Sequence, residues 1–224
     1  LTAAFTPPPG PSSTDAALRG YQTAIEAAQR AGVNADAEAA AVRAETARRA
    51  AQQQLQASLH PVTAELDLGA IRKCIDAART AGVSASDVDA AEARVAEVAS
   101  ARDEAAAALH TSATPPLSTI DVGALQTAVA AAEEAGSDAR AIAASKARLN
   151  LAQKIGTPVL ALLEKERLPD STAPLFLKHE ILDVATLAAW KPATLARALR
   201  ISPEAAKALQ LGAASEAQLA LGQE

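Results

Sequence analysis

The chain contains no Met, one Cys, one Trp, one Tyr and two Phe among 224 residues, and each shortage removes a class of protein. With so few aromatic side chains the walls of an ordinary small-molecule pocket are hard to assemble. No small-molecule substrate is expected, and binding through extended surfaces is favoured. A lone thiol, Cys74, excludes an intrachain disulfide framework and leaves the redox compartment open. Long apolar runs are missing too: Arg, Glu, Asp and Gln punctuate every Ala tract, so none reaches the ~20 residues that a membrane-spanning helix needs. The formal net charge is −5, without the cationic excess that draws phosphates, which weighs against general nucleic-acid or anionic-membrane binding. Dividing the chain does not rescue that idea, since residues 158–224 carry 7 Lys/Arg against 8 Asp/Glu. A start at Leu1 without any Met is expected of a processed form or a fragment, so a targeting peptide would lie outside the sequence. The compartment therefore stays open, a processed organellar or a cytoskeleton-associated protein being compatible with it.

What the chain has instead is Ala, 62 residues of it. Ala favours helices strongly but offers little side-chain area to bury, so thin helical layers are expected in place of a thick core. Self-similarity organises the first three quarters. The run from Ile25 to Val33 recurs from Ile75 to Val83, 50 residues on, and more loosely from Val129 to Gly136, a further 54. The same offsets align Leu18, Leu68 and Val122, then Tyr21, Ile71 and Leu125. The four extra residues fall in one linker, between His110 and Asp121, which holds Pro115 and Pro116.

In each unit the large apolar residues before the Gly recur at separations of three and four, one stripe of a helix. Gly32, Gly82 and Gly136 close that stripe, where a left-handed C-terminal cap favours a residue without Cβ. Two positions later stand Asn34, Ser84 and Asp138, which can accept a bond from the free N–H groups of a new helix. So close a stop and restart predicts a helix doubling back on its predecessor. The second arm of the middle unit is expected to run from Ala85 to Leu109, whereas Gly156-Thr157-Pro158 predicts a kink or a domain junction in the third. The pairs can stack as a solenoid or join as a bundle. Arg48-Arg49 and Glu133-Glu134 read as solvated faces.

After Pro158 Ala thins out and Leu, Phe, Trp and Pro enter short helical segments: Val159 to Glu166, Ala173 to His179, Val184 to Ala189, Pro192 to Leu199 and Pro203 to Leu211. Ser202 is a natural N-cap before Pro203. Five such helices, with Phe176, Glu180-Ile181, Leu187, Leu195, Ile201 and Lys207 in place, resemble the sterile alpha motif (SAM) family over about a quarter of the chain. Arg200 stands where that family usually has a turn Gly, Thr194 replaces an Asp, and the first helix lacks its common aromatic. The resemblance implies docking between domains, with Glu180 and Asp183 on one surface and Ser202, Glu204 and Lys207 near the other. A helical cap that closes the preceding pairs fits the same segment.

Residues that carry chemistry are few and scattered along the sequence. His60, His110 and His179 have no partners at zinc-ligand spacing, and His60 and His110 fall where a cationic ring favours a helix C-terminus. Cys74 aligns with Ala24 and Ala128, a place for a small buried side chain. Phosphate-binding Gly-rich loops and nucleophile elbows are missing. The expectation is therefore no enzyme, no catalytic residue, no cofactor and no metal.

The resulting expectation is an all-α chain of three tandem antiparallel helical hairpins followed by a five-helix SAM-like domain. Its segments are a Pro-rich extended arm at 1–14, hairpins at 15–60, 67–110 and 121–156, the SAM-like domain at 158–212 and a tail at 213–224. The expected function is a non-catalytic scaffold or assembly protein, a subunit that binds protein partners or itself through the C-terminal domain. The interaction surface is expected at Glu180, Asp183, Arg197, Arg200, Ser202, Glu204 and Lys207. The alternatives are an RNA adaptor using Arg197, Arg200 and Lys207, and an enzyme or ligand carrier with a site between hairpins.

Overall fold

The computed structural model describes residues 14–221. The Pro-rich arm lies outside them apart from Thr14, as do residues 222–224 of the expected tail. Among the described residues the chain is all-α, eleven α-helices with two short 3₁₀ turns and no strand. It divides into two compact units, the sequence boundary falling between Ser100 and Ala101.

The first unit contains α1 (Asp15–Arg30), α2 (Asp36–Leu59), α3 (Leu68–Thr80) and the beginning of α4 (Ala85–Ala113), with a 3₁₀ turn at Thr63–Glu65. Side-chain oxygens start the first and third helices. Thr14 accepts from the Ala17 N–H at 3.1 Å, and Asp67 from Gly69 and Ala70 at 2.9 and 3.0 Å. Gly32 and Gly82 end them at φ +72° and +74°. In both cases the Gly N–H reaches back to the Gln29 or Arg79 carbonyl, and the following Val N–H reaches the Ala28 or Ala78 carbonyl. This bond pair satisfies carbonyls that a helix end would otherwise leave open. The chain restarts at once: Asn34 accepts from Asp36 N–H at 2.9 Å and Ser84 from Asp87 N–H at 3.2 Å.

The seams are built from small residues. Ala28, Ala78 and Ala91 keep 1%, 0% and 0% of their surface, which lets the helices approach closely while burying little area per residue. Larger side chains carry the burial: Ile25 and Val42 between α1 and α2, then Leu55 of α2 against Ile71 and Ile75 of α3 and Val88, Val95 and Val98 of α4. The helix α2 is thus flanked by α1 and by α3.

The second unit begins with the rest of α4 and continues through α5 (Val122–Ala135), α6 (Ala139–Lys154), α7 (Thr157–Lys165), α8 (Ala173–Lys178), α9 (Val184–Ala189), α10 (Pro192–Leu199) and α11 (Pro203–Leu221). Asp121 caps α5 through the Ala124 N–H, Gly136 closes it at φ +70°, and Asp138 opens α6 through the Arg140 N–H. Ala105 and Leu109 pack with Leu125, Ala128, Val129 and Ala132. A thicker core then forms around Phe176, Ile181, Leu187, Leu195 and Leu209, all at 0% exposure.

Three expectations are corrected. The helix α4 runs to Ala113, four residues beyond Leu109, since neither Gly nor Pro interrupts the chain before Pro115. His110 still lies in the last turn of α4 and His60 is the C-cap residue of α2, both at the helix C-terminus as expected. Residues 213–221, expected as tail, continue α11, and Ala213 is fully buried. The chain does break at Ile155-Gly156, yet Leu117, Leu151 and Ile155 belong to the same core as Phe176, so residues 158–212 do not close a core by themselves. Leu117 sits in the linker with the four extra residues. Arg148 of α6 holds that linker through the Pro115 carbonyl at 2.7 Å while pairing with Asp170 at 2.5 Å.

Candidate functional site

One carboxylate of the first unit is buried. Glu45 of α2 keeps 6% of its surface, on the stripe that Val42 and Leu55 otherwise fill. Arg48 grips it as a fork, Nε to Oε2 at 2.8 Å and Nη2 to Oε1 at 2.7 Å, and Arg49 Nε adds a third bond at 2.8 Å. Arg49 also reaches Asp15 of α1 at 2.6 Å. Arg48 lies 3.5 Å from Gln52, whose amide donates to Asp87 of α4 at 3.1 Å. The cluster therefore ties three helices, and Arg48-Arg49, expected as a solvated face, keeps only 16% and 19% of its side-chain surface. The Arg48 bonds outweigh burial and, with those of Arg49, hold Glu45 at a pKa of about 2 against an ordinary 4.5. A carboxylate so depressed and with both oxygens bonded is a poor general base. The arrangement clamps helices.

The expected interaction residues scatter by role. Asp183 caps α9, its Oδ1 accepting from the Thr186 N–H at 2.7 Å. That backbone bond, followed by the Thr186 hydroxyl, draws its pKa below the usual carboxylate value. Ser202 caps α11 through the Ala205 N–H at 3.1 Å. Glu180 is exposed with a left-handed backbone, φ +56°, while Glu204 and Lys207 lie exposed on α11.

Arg197 and Arg200 are brought together. They line one cleft of about 400 Å³ with Lys178, His179, Trp190 and Leu175, framed by α8, α10 and the residue that ends α9. Lys207 is not part of that lining. Leu175, Ala198 and Trp190 are half-buried and form an apolar floor, and Lys178, Arg197 and Arg200 are exposed around it. The rings of His179 and Trp190 meet edge to face, centroids 6.0 Å apart at 69°. Arg200 ends α10 in the left-handed region, φ +55°.

Some cations of the described residues are ion-paired, while eleven outside the cleft, Arg140, Lys154 and Lys207 among them, are not. Arg48, Arg49, Arg79, Arg94, Lys146 and Arg148 each sit in an ion pair. Lys178, Arg197 and Arg200 have none among the described residues. The sequence reading found the two arginines, three apart in α10 and its cap, and missed Lys178, His179 and Trp190. Their lone signal was a basic-aromatic composition spread over two other helices.

Cys74 is half-buried against the α2–α3–α4 core. Among the described residues no three His, Cys, Asp or Glu side chains form a metal-holding group, and no helix is long and apolar enough to cross a membrane. Comparison with family models, with curated proteins and with solved structures finds no match to this chain.

Proposed function

We propose that the protein is a non-catalytic scaffold or assembly subunit, in which tandem helical hairpins carry a C-terminal SAM-like set of helices that engages protein partners. The observation that carries this reading is the double use of α2. One face closes on α1 through Ile25, Ala28 and Val42, and another supplies Leu55 to the core of α3 and α4. Stacking of that kind turns each arm into the floor of the next and produces surface in place of a cavity. A helix of 24 residues is about 36 Å long, a length suited to spacing and display. Two large apolar residues on α11, Leu211 and Leu219, are 57% and 60% exposed, which adds sticky surface beside the cleft-bearing helices. In the SAM resemblance Arg200 holds the place of a turn Gly, and its left-handed φ fits that place.

The decisive measurement is the native mass of the chain in extracts of its source. It is expected in an assembly well above the mass of one chain, stable to a moderate salt wash. Elution as a lone monomer overturns the proposal. A second reading, an RNA adaptor, draws support from Arg197 and Arg200 lining one cleft with Trp190, since stacking on an aromatic beside basic groups is how single strands are held. It predicts binding to single-stranded RNA that falls steeply with salt.

A further inference from the structure

Resting on the assembly reading, we propose that the Trp190 cleft takes an acidic peptide segment of a partner protein. Carboxylates of the segment sit on Lys178, Arg197 and Arg200, and an apolar side chain covers Trp190 and Leu175. Three observations point there. The three cations converge on one cleft that no Asp or Glu lines, and none of them sits in an ion pair, in a chain whose net charge is −5. Like charges gathered this way repel, and a carboxylate placed among them relieves the repulsion. The floor between them is apolar, so the ligand must bring more than charge: burial over Leu175, Ala198 and Trp190 rewards a segment with one large apolar residue. The volume, about 400 Å³, lies within the ~300–1,000 Å³ of ligand clefts. It suits a short segment and not a folded domain.

A nucleic acid is the weaker occupant. Polyanions gain affinity from many phosphate contacts, typically 6–10 in ordinary binders, whereas this cleft offers three cations. Around it residues 101–224 carry 12 Lys/Arg against 14 Asp/Glu, a field that disfavours an extended chain of phosphates and tolerates a local cluster of carboxylates.

Trp190 is the only Trp in the chain, so its emission reports on this cleft alone. The probes are a blocked Asp-Glu-Leu-Asp-Glu peptide, its Asn-Gln-Leu-Asn-Gln counterpart and an eight-nucleotide uridylate RNA, each titrated into the full chain at low salt. Calorimetry reads the same titrations in case emission changes little. The acidic peptide is expected to bind saturably and more tightly than the RNA, with the neutral peptide weaker by about tenfold or more. Arg197→Gln with Arg200→Gln is expected to weaken the acidic peptide by about tenfold or more, with unchanged helical circular dichroism. Arg140→Gln with Lys154→Gln, the same charge change at exposed positions outside the cleft, leaves binding as it was. No saturable binding, equal binding of the neutral peptide, tighter binding of the RNA, or indifference to the Arg197/Arg200 pair each overturns the proposal. An idle cleft in a chain that still runs as a native assembly removes this inference and leaves the assembly reading standing. A peptide-binding cleft in a native monomer does the reverse.

Discussion

Replacing Glu45 by Gln keeps the shape of the side chain and removes the charge that Arg48 and Arg49 hold. The shift from 4.5 to about 2 corresponds to roughly 3 kcal/mol at 1.36 kcal/mol per unit. Arg48 and Arg49 keep 16% and 19% of their side-chain surface, so water screens the pairs and about 1–2 kcal/mol is the expected cost at pH 7. For the first unit that is a loss of about 1 M in urea midpoint. The sign with pH follows from linkage. A carboxylate depressed in the folded state stabilises fully above its unfolded value near 4.5, and the contribution drains away as pH falls through about 2, with less than half left at pH 3. Urea unfolding is to be followed by far-UV circular dichroism at pH 7 and pH 3, with Trp190 emission as an internal control for the second unit. Glu45→Gln is expected to trail the natural chain at pH 7, and the gap is expected to shrink by more than half at pH 3. Other carboxylates titrate in both proteins and cancel in the difference. Equal midpoints at pH 7, or a gap as large at pH 3, would refute the clamp.

Gly82→Ala is expected to cost about 1 kcal/mol by thermal or urea unfolding: φ is +74° and nothing lies within 4 Å of the new Cβ, so the loss is backbone strain alone. Gly82→Asn, which visits that region more readily, should lose less. Ala78→Leu inserts bulk into a seam with 0% exposure and is expected to cost about 1–3 kcal/mol in the same assay, whereas Ala→Leu at exposed Ala193 should cost little. Asp183→Ala removes the cap of α9 and is expected to lower stability by about 1 kcal/mol at pH 7. Because the native Asp183 pKa lies below its ordinary value, that difference holds above the carboxylate range and vanishes on acidification below it.

The helices were legible because their signals are local. Gly32, Gly82 and Gly136 announce left-handed stops, and Asn34, Ser84 and Asp138 announce restarts, each within a few residues of its effect. The bounds of α9 and α10 match the sequence reading residue for residue, since Asp183, Pro192 and the residue after Leu199 mark their ends. The far end of α11 was missed because Leu211 ends the continuous run of large apolar residues, while Gly212 and Ala213 continue the helix with surfaces too small to show a stripe. Gly212 is there for space: a Cβ on it would come 2.7 Å from Leu162 Cδ2. Close approach of that kind has no periodicity to betray it.

Charge was the harder property to read, and for a specific reason. Glu45, Arg49 and Gln52 stand at separations of four and three in line with Val42 and Leu55, so polar residues occupy places that the stripe would give to apolar ones. That alone argued against a solvated face, but the partners that justify it, Asp15 and Asp87, lie 34 and 35 residues from Arg49 and Gln52. The Trp190 cleft shows the opposite failure. Arg197 of α10 and Arg200, its cap residue, are three apart and were seen, while Lys178 and Trp190 arrive from α8 and from the end of α9. A sequence tells how many charges a segment holds; which of them find a counter-charge depends on where the other helices go. In this chain three of those left without one meet around its single Trp, a grouping set by the packing of α8, α9 and α10 and not by the repeat.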